Sequence, residues 1–431
     1  MDADLDSISS RARARRAIAS MAVAFVAIAS TGVVYLHPSL PGPAPTGVLQ
    51  SRYAVSAVDF VNPLTGWVAA QFQSGNIAVL HTGDGGETWT RQMSVAGNGH
   101  AQYVKFFDPL LGVFALLGGA PVLYRTSDGG ASWRSLPALS AGASVLSWSF
   151  VDDDHGFMLA RTADEANTSP SRLYRTQDGG SSWTDLGAPV PAPEQAYQVH
   201  FSFLTTGWLA SSGPAPAAYK TGDFGSTWTR VPLPAPRGGW PHAGQFFVGV
   251  QPTGGGGALA SVVYFPPVRG RSGIGGSIRA FPPLTVRVFD GGKPDTYTYT
   301  TVLDRLSIGG KPGAQAPNET VLSTLDNGAS WASIQPPSAA GAIGYFDAAN
   351  WWWVGAGSWS RSANGGLSWS DPTNIGVVEP LPGSLQVLDR AHAWFAAAAQ
   401  ARPFLESTDD AGIHWRMVAL PPLADGAQAL T

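Results

Sequence analysis

The chain has 431 residues, enough for one large domain or two ordinary ones. Only 13% of residues are charged, net charge is −4, and Gly and Pro number 52 and 34, a turn-rich composition that gives a nucleic-acid partner no electrostatic support. There is no cysteine, which excludes disulfides and thiolate chemistry.

The first element is an address. "RARARR" (Arg11 to Arg16) closes a basic segment, residues 1–16, and precedes twenty uncharged residues, Ala17 to Leu36. Twenty apolar residues span a bilayer core of roughly 30 Å. The arginines would remain cytoplasmic and send the rest of the chain outward. A cleaved signal peptide is the rival reading, since Ala27-Ile28-Ala29 resembles a cleavage site. The apolar run continues past that site, which favours an anchor. Residues 37–51 read as a Pro-rich linker.

From residue 52 to about 420 the chain repeats itself, with a short tail at 421–431. "YRTSDGGASWRSL" from Tyr124 and "YRTQDGGSSWTDL" from Tyr174 share nine of thirteen positions. The pattern Ser/Thr-x-Asp-x-Gly-x-x-Trp occurs seven times. Its tryptophans are Trp89, Trp133, Trp183, Trp228, Trp331, Trp369 and Trp415. Its acidic positions are Asp84, Asp128, Asp178, Asp223, Asp326, Asn364 and Asp410, with Asn364 the one replacement. The tryptophans are 44, 50, 45, 103, 38 and 46 residues apart. The long gap is close to two periods, and inside it "VRVFDGGKPDTYTY" reads as an eroded eighth copy at Asp290 to Tyr297.

Each box is expected to be a hairpin turn. The Asp would accept hydrogen bonds from backbone N–H groups two or three residues on, and the Gly two places later would take a positive φ. The Trp would enter the next strand and wedge between neighbouring units. A second phrase precedes most boxes, as in "VDFVNPLTGWVAA" from Val58 and "VKFFDPLLGVFAL" from Val104: a strand, a polar turn, then Gly opening another strand. Four antiparallel strands per period of about 45 residues is the blade of a β-propeller. The spacing favours eight units, with seven as the alternative.

These boxes resemble the Asp-box, or BNR, repeat of sialidases and sortilin-type receptors. The fuller blade, ending in Leu-Tyr-x-Thr-x-Asp-Gly-Gly-x-Ser/Thr-Trp, is most similar to the photosystem II stability and assembly factor family and its relatives in non-photosynthetic bacteria. The resemblance implies an all-β propeller without a catalytic site, metal or cofactor, which binds or assembles another protein at the extracytoplasmic side of a bacterial membrane, or is secreted if the signal is cleaved. A carbohydrate-active propeller is the alternative. One fold hosts unrelated activities, so the residues must decide.

Repetition of the box carboxylates in every unit marks a structural turn rather than an active site. A sialidase is rejected: "SRYAVSAVDFVNP", ahead of the first box, carries no Arg-Ile-Pro-like motif. A hydrolase needs two carboxylates across a cleft. Loop candidates are Asp152, Asp153, Asp154, Glu165 and Glu194, and nothing in the sequence pairs them. Two features stand out as candidate binding groups. The residue eight before the Trp is cationic in four units: Arg125, Arg175, Lys220 and Arg361. Equal positions form a ring, which would either suit acidic groups of a membrane-associated partner or pair each cation with a carboxylate of its own or the next unit. "NWWWV" adds Trp352 and Trp353 where other units carry smaller residues; alternation sends Trp352 to the opposite face from its neighbours. They offer either an aromatic platform or extra core filling.

Overall fold

A computed structural model describes residues 53–96, 101–116, 122–136, 143–162, 170–242, 245–265, 278–279, 284–290, 293–299, 318–338, 341–355, 357–376, 380–381, 384–399 and 402–425. The expected anchor and linker lie outside them. Among the described residues there is no helix long and apolar enough to cross a membrane.

Every regular element among these residues is a strand, and the ladders are antiparallel. They build seven four-stranded units: 53–95, 101–136, 143–187, 195–232, 245–334, 341–374 and 386–419. Five are separate sheets. The fourth and fifth are joined into one eight-stranded sheet where Ser211–Gly213 pairs with Phe246–Val248. Among the described residues, the expected eighth copy does not make a four-stranded unit. Leu284–Asp290 pairs with Lys293–Tyr299 and with Ile278–Arg279 in a three-stranded sheet that falls in the chain between the second and third strands of the fifth unit.

The core is divided into layers between units. There are seven clusters of buried apolar side chains, and each joins one unit to the next. The last unit packs on the first through Trp394, Leu405 and Val418 against Phe60, Val68 and Leu80. A series of sheets packed face to face and closed on itself is the arrangement of a β-propeller. Each cluster holds one box tryptophan, from Trp133 between units one and two to Trp89 at the closure. The tryptophan thus wedges between units, as its size and its place beside the turn require.

The recurring Phe…Gly phrase has a steric cause. The first strand ends on Phe60, Phe106, Phe150 or Phe201, and the second opens on Gly66, Gly112, Gly156 or Gly207. A Cβ on Gly112 would lie 2.4 Å from the Phe106 ring, and the other three come within 2.4–2.8 Å of theirs. The Phe folds over its partner strand and presents its other face to the preceding unit. Trp67 stacks on Phe106 with ring centroids 3.4 Å apart, and Phe157 stacks on Phe201 at 3.4 Å. The backbone N–H of each such Phe donates to a side chain of the preceding unit: Phe60 to Gln386 at 2.7 Å, Phe106 to Asp59 at 2.6 Å, Phe150 to Tyr103 at 3.0 Å and Phe201 to Ser149 at 2.8 Å. A polar partner for every buried N–H is what a dry joint demands.

Candidate functional site

The boxes lie at the end of each sheet that also carries the turn between its first and second strands. In unit two, Gly129 N–H donates to the carbonyl of Leu110 at 2.9 Å, and the corresponding bond recurs in all seven units, for example from Asn327 to Gly256 and from Ala411 to Ala391. This shared end is the box face.

Within a box the division of labour differs from the expected one. The hydroxyl, not the carboxylate, receives the nearby N–H groups: Asp128 N and Gly130 N both donate to Thr126 Oγ1, at 3.3 and 2.8 Å. The Asp reaches four residues on. Asp128 Oδ1 accepts from Thr126 Oγ1 and from Ser132 N, and Oδ2 accepts from Ser132 Oγ at 2.6 Å. The same set recurs at Asp84, Asp178, Asp223 and Asp326. Asn364 keeps the turn through Oδ1 and donates its Nδ2 to Ser368 Oγ. In the seventh box His414 replaces the hydroxyl residue and meets Asp410 through Nδ1. The hydroxyl and N–H donors hold the carboxyls of Asp84, Asp128 and Asp326 down to about 2.

The glycine of each box has positive φ, as expected, and so does the residue before it. Phe224, Asn327 and Ala411 adopt φ of 62°, 63° and 64° there without being glycine. At Gly328 a second demand appears, since a Cβ would meet the Trp208 ring of the preceding unit at 2.6 Å. Removing a carboxylate that organises so many donors resembles deleting a helix cap. Asp178→Ala is expected to destabilise by about 1–2 kcal/mol, read as a shift in urea midpoint by circular dichroism; an unchanged midpoint would refute the structural role.

The left-handed residue also points its carbonyl at the preceding unit, and this is where the cationic ring is engaged. Arg175 Nη1 donates to Phe224 O at 3.4 Å, and Lys220 Nζ donates to Asn327 O at 3.0 Å. Arg125 lies under the third box, where a Cβ on Gly179 would strike its guanidinium, and pairs with Asp153 at 3.2 Å and Asp154 at 3.7 Å. Arg361 lies over the Trp359 ring at 5.0 Å. The four cations therefore all have partners inside the protein. Two residues that the sequence pattern did not single out do the same work from fourth strands: Gln92 Nε2 donates to Gly129 O at 2.7 Å, and Arg416 Nη2 to Gly85 O at 3.4 Å. Long polar side chains aimed at one repeated carbonyl are invisible as a motif, because Gln, Arg and Lys come from different strands.

Trp352 and Trp353 are core residues, 2% and 3% exposed, so an aromatic platform is excluded. They do alternate: Trp352 packs toward unit seven, while Trp351 and Trp353 pack toward unit five. The carboxylates considered for hydrolysis are held in local structure. Asp152 accepts from the N–H groups of Asp154 and His155 and pairs with the His155 ring, and Glu194 is gripped by Tyr219 and by Arg230 at 3.1 Å. Glu165 lies outside the described residues. Among the described residues no group of three or more His, Asp or Glu could hold a metal ion.

One further feature of the box face escaped the repeat pattern. The exposed large apolar side chains among the described residues all lie on it. Leu64, Leu110 and Phe203 occupy turns between first and second strands. Phe224, Leu325, Leu367 and Ile413 stand at the variable positions of boxes. Leu64 and Ile413 are 58% and 60% exposed.

No family model matches the chain, and no curated protein matches it. Among solved structures it is similar to YCF48 bound to a D1 peptide, at 16% identity over 83% of this chain and 97% of that one, with a TM-score of 0.32. It is also similar to the GH74 xyloglucanase from Xanthomonas campestris, at 14% identity over 86% and 74% with a TM-score of 0.32. Sqt1 of Saccharomyces cerevisiae matches at 10% identity over 86% and 97% with a TM-score of 0.41.

Proposed function

We propose that this chain is a non-enzymatic, extracytoplasmic β-propeller of seven Asp-box blades, tethered by its N-terminal apolar segment, that serves as a binding or assembly scaffold for another protein. The docking surface is the box face. The observation that carries this reading is the confinement of every described exposed large apolar side chain to that one end of the sheets. Scattered single apolar residues on a surface need no explanation, but their restriction to one face marks an interaction site. The box carboxylates hold turns, and Arg125, Arg175 and Lys220 reach into the next unit while Arg361 lies over Trp359, which leaves the variable tips of the turns as the recognition elements. Loops on a rigid scaffold are where binding residues gather.

The reading is tested by photo-crosslinking in membranes. A benzophenone side chain placed at Leu110 or Leu367 is expected to give adducts with another protein, and one placed at Gln73, in the turn at the opposite end of its sheet, is expected to give none. Adducts from Gln73 alone, or hydrolysis of xyloglucan without adducts from the box face, would overturn it.

A further inference from the structure

The apolar tips of the box face stand on a strongly acidic ground. The turns 61–65, 107–111, 151–155, 202–206, 254–256, 346–350 and 388–392, together with the seven boxes from hydroxyl residue to Trp, hold fourteen Asp and Glu and a single Lys or Arg, Arg390. The whole chain has 30 acids and 26 Lys or Arg, so the face departs far from the overall balance. The nearest cations, the ring just ahead of the boxes and Arg416, are turned onto the protein itself, and Arg125 already has Asp153 and Asp154 as partners. The histidines of the face, His155, His392 and His414, each contact an aspartate. The box aspartates are ionised at every physiological pH, because their hydroxyl and N–H donors favour the charged form.

We propose that the partner docked on the box face is cationic and amphipathic: a segment that presents apolar side chains flanked by Lys and Arg. The inference rests on the docking role proposed above and adds the chemistry of the partner. Apolar tips supply contact area, while a surrounding field of one sign selects the opposite sign and raises the rate of encounter. An acidic partner, which a ring of free cations would attract, meets repulsion here.

The junction of units seven and one offers a compact test. Arg416 of unit seven bonds to the box of unit one at Gly85. Leu64 and Glu87 of unit one and Asp409 and Ile413 of unit seven stand on this face in the boxes and turns of these two adjoining units. Glu87 and Asp409 are exposed. Three synthetic eighteen-residue peptides serve as probes for the purified full chain by fluorescence anisotropy: an amphipathic Lys/Leu helix, its Glu/Leu counterpart, and a Lys/Ser peptide of equal charge. The Lys/Leu peptide is expected to bind at least about tenfold more tightly than either other, and to lose about tenfold in affinity between 50 and 300 mM salt, as screening of exposed charges requires. The double variant Glu87→Gln, Asp409→Asn is expected to weaken it about threefold, and Leu64→Ser, Ile413→Ser about tenfold, with unchanged far-ultraviolet circular dichroism for both. Equal or tighter binding of the Glu/Leu peptide, lost in the Leu64→Ser, Ile413→Ser variant, would overturn the inference and leave the docking role standing. Binding of the Lys/Leu peptide that none of the four substitutions changes, or no binding of any peptide, would also overturn it; cross-linking from Leu110 and Leu367 then tells whether the docking role falls with it.

Discussion

Trp67→Ala is expected to cost about 3–5 kcal/mol of stability, the range for deleting a large buried aromatic. Trp67 is fully buried, and its ring lies flat against Phe106 of the next unit. Two losses would coincide. The space left cannot be filled from the next unit, because Phe106 is already folded over Gly112. The indole N–H also donates to Gln92 Oε1 at 3.1 Å, and the Gln92 amide in turn holds Gly129 O in the second box. Removing the tryptophan thus loosens a clasp between two units as well as emptying their joint. Trp67→Phe keeps most of the stack and loses the hydrogen bond, and should cost about 1–2 kcal/mol. Urea unfolding followed by circular dichroism reads both. A Trp67→Ala loss of less than 1 kcal/mol would mean that the joint between units one and two closes on its own, contrary to the geometry of Phe106 and Gly112.

The same joint shows how far the sequence could be read. Box, strand and wedge were legible because each is a local demand repeated seven times: a hydroxyl and a carboxylate within three positions, a glycine at positive φ, a tryptophan at a fixed offset. The Phe…Gly phrase was visible as a pattern, but its cause, a ring lying over a missing Cβ, depends on two strands being paired. The number of units was not legible. Spacing alone cannot tell a degraded unit from an insertion; the described strands there, Ile278–Arg279, Leu284–Asp290 and Lys293–Tyr299, pair in a three-stranded sheet. Charge was the least legible property. Four cations at one repeat position looked like a basic surface, whereas their partners are a carbonyl of the next turn, an aspartate pair and a tryptophan ring. No sequence offset announces a partner in another unit. The acidic, apolar-tipped face became apparent only when turns some twenty residues apart in the chain were seen to share one end of each sheet.

Glu406→Gln is expected to raise stability at pH 8 by about 2–3 kcal/mol and to change it little at pH 5. Glu406 occupies the position nine before the box tryptophan, where other units place Leu80, Tyr124, Tyr174, Tyr219, Leu322 and Ser360. Its strand neighbours are Phe395 and Met417, and Trp352, Val354 and Trp359 of the preceding unit belong to the same buried layer. The side chain is 2% exposed, and its Oε2 has no hydrogen-bond partner among the described residues. Burial therefore pushes the carboxyl up to about 7. The sign follows from linkage. Below the ordinary glutamate range both folded and unfolded chains hold the proton, and the group exerts no pH effect. As pH rises from about 4.5 to 7 the unfolded chain releases its proton first, so stability falls by about 1.4 kcal/mol per pH unit, roughly 3 kcal/mol in all, and stays low above that. Gln carries the same shape and no titrating proton, so its stability should not fall across that interval. The box aspartates act in the opposite sense and at lower pH, all being held down and Asp84, Asp128 and Asp326 to about 2, and their contribution is lost only on strong acidification. They titrate alike in both proteins. The quantity to measure is therefore the difference in urea midpoint between wild type and Glu406→Gln at pH 5, 6, 7 and 8. A difference that opens between pH 5 and 7 and then levels off establishes Glu406 as a charge buried at a joint between units. Midpoints that run parallel across the range would show that the carboxylate finds a cation or water in solution, and that the seventh unit tolerates it without cost.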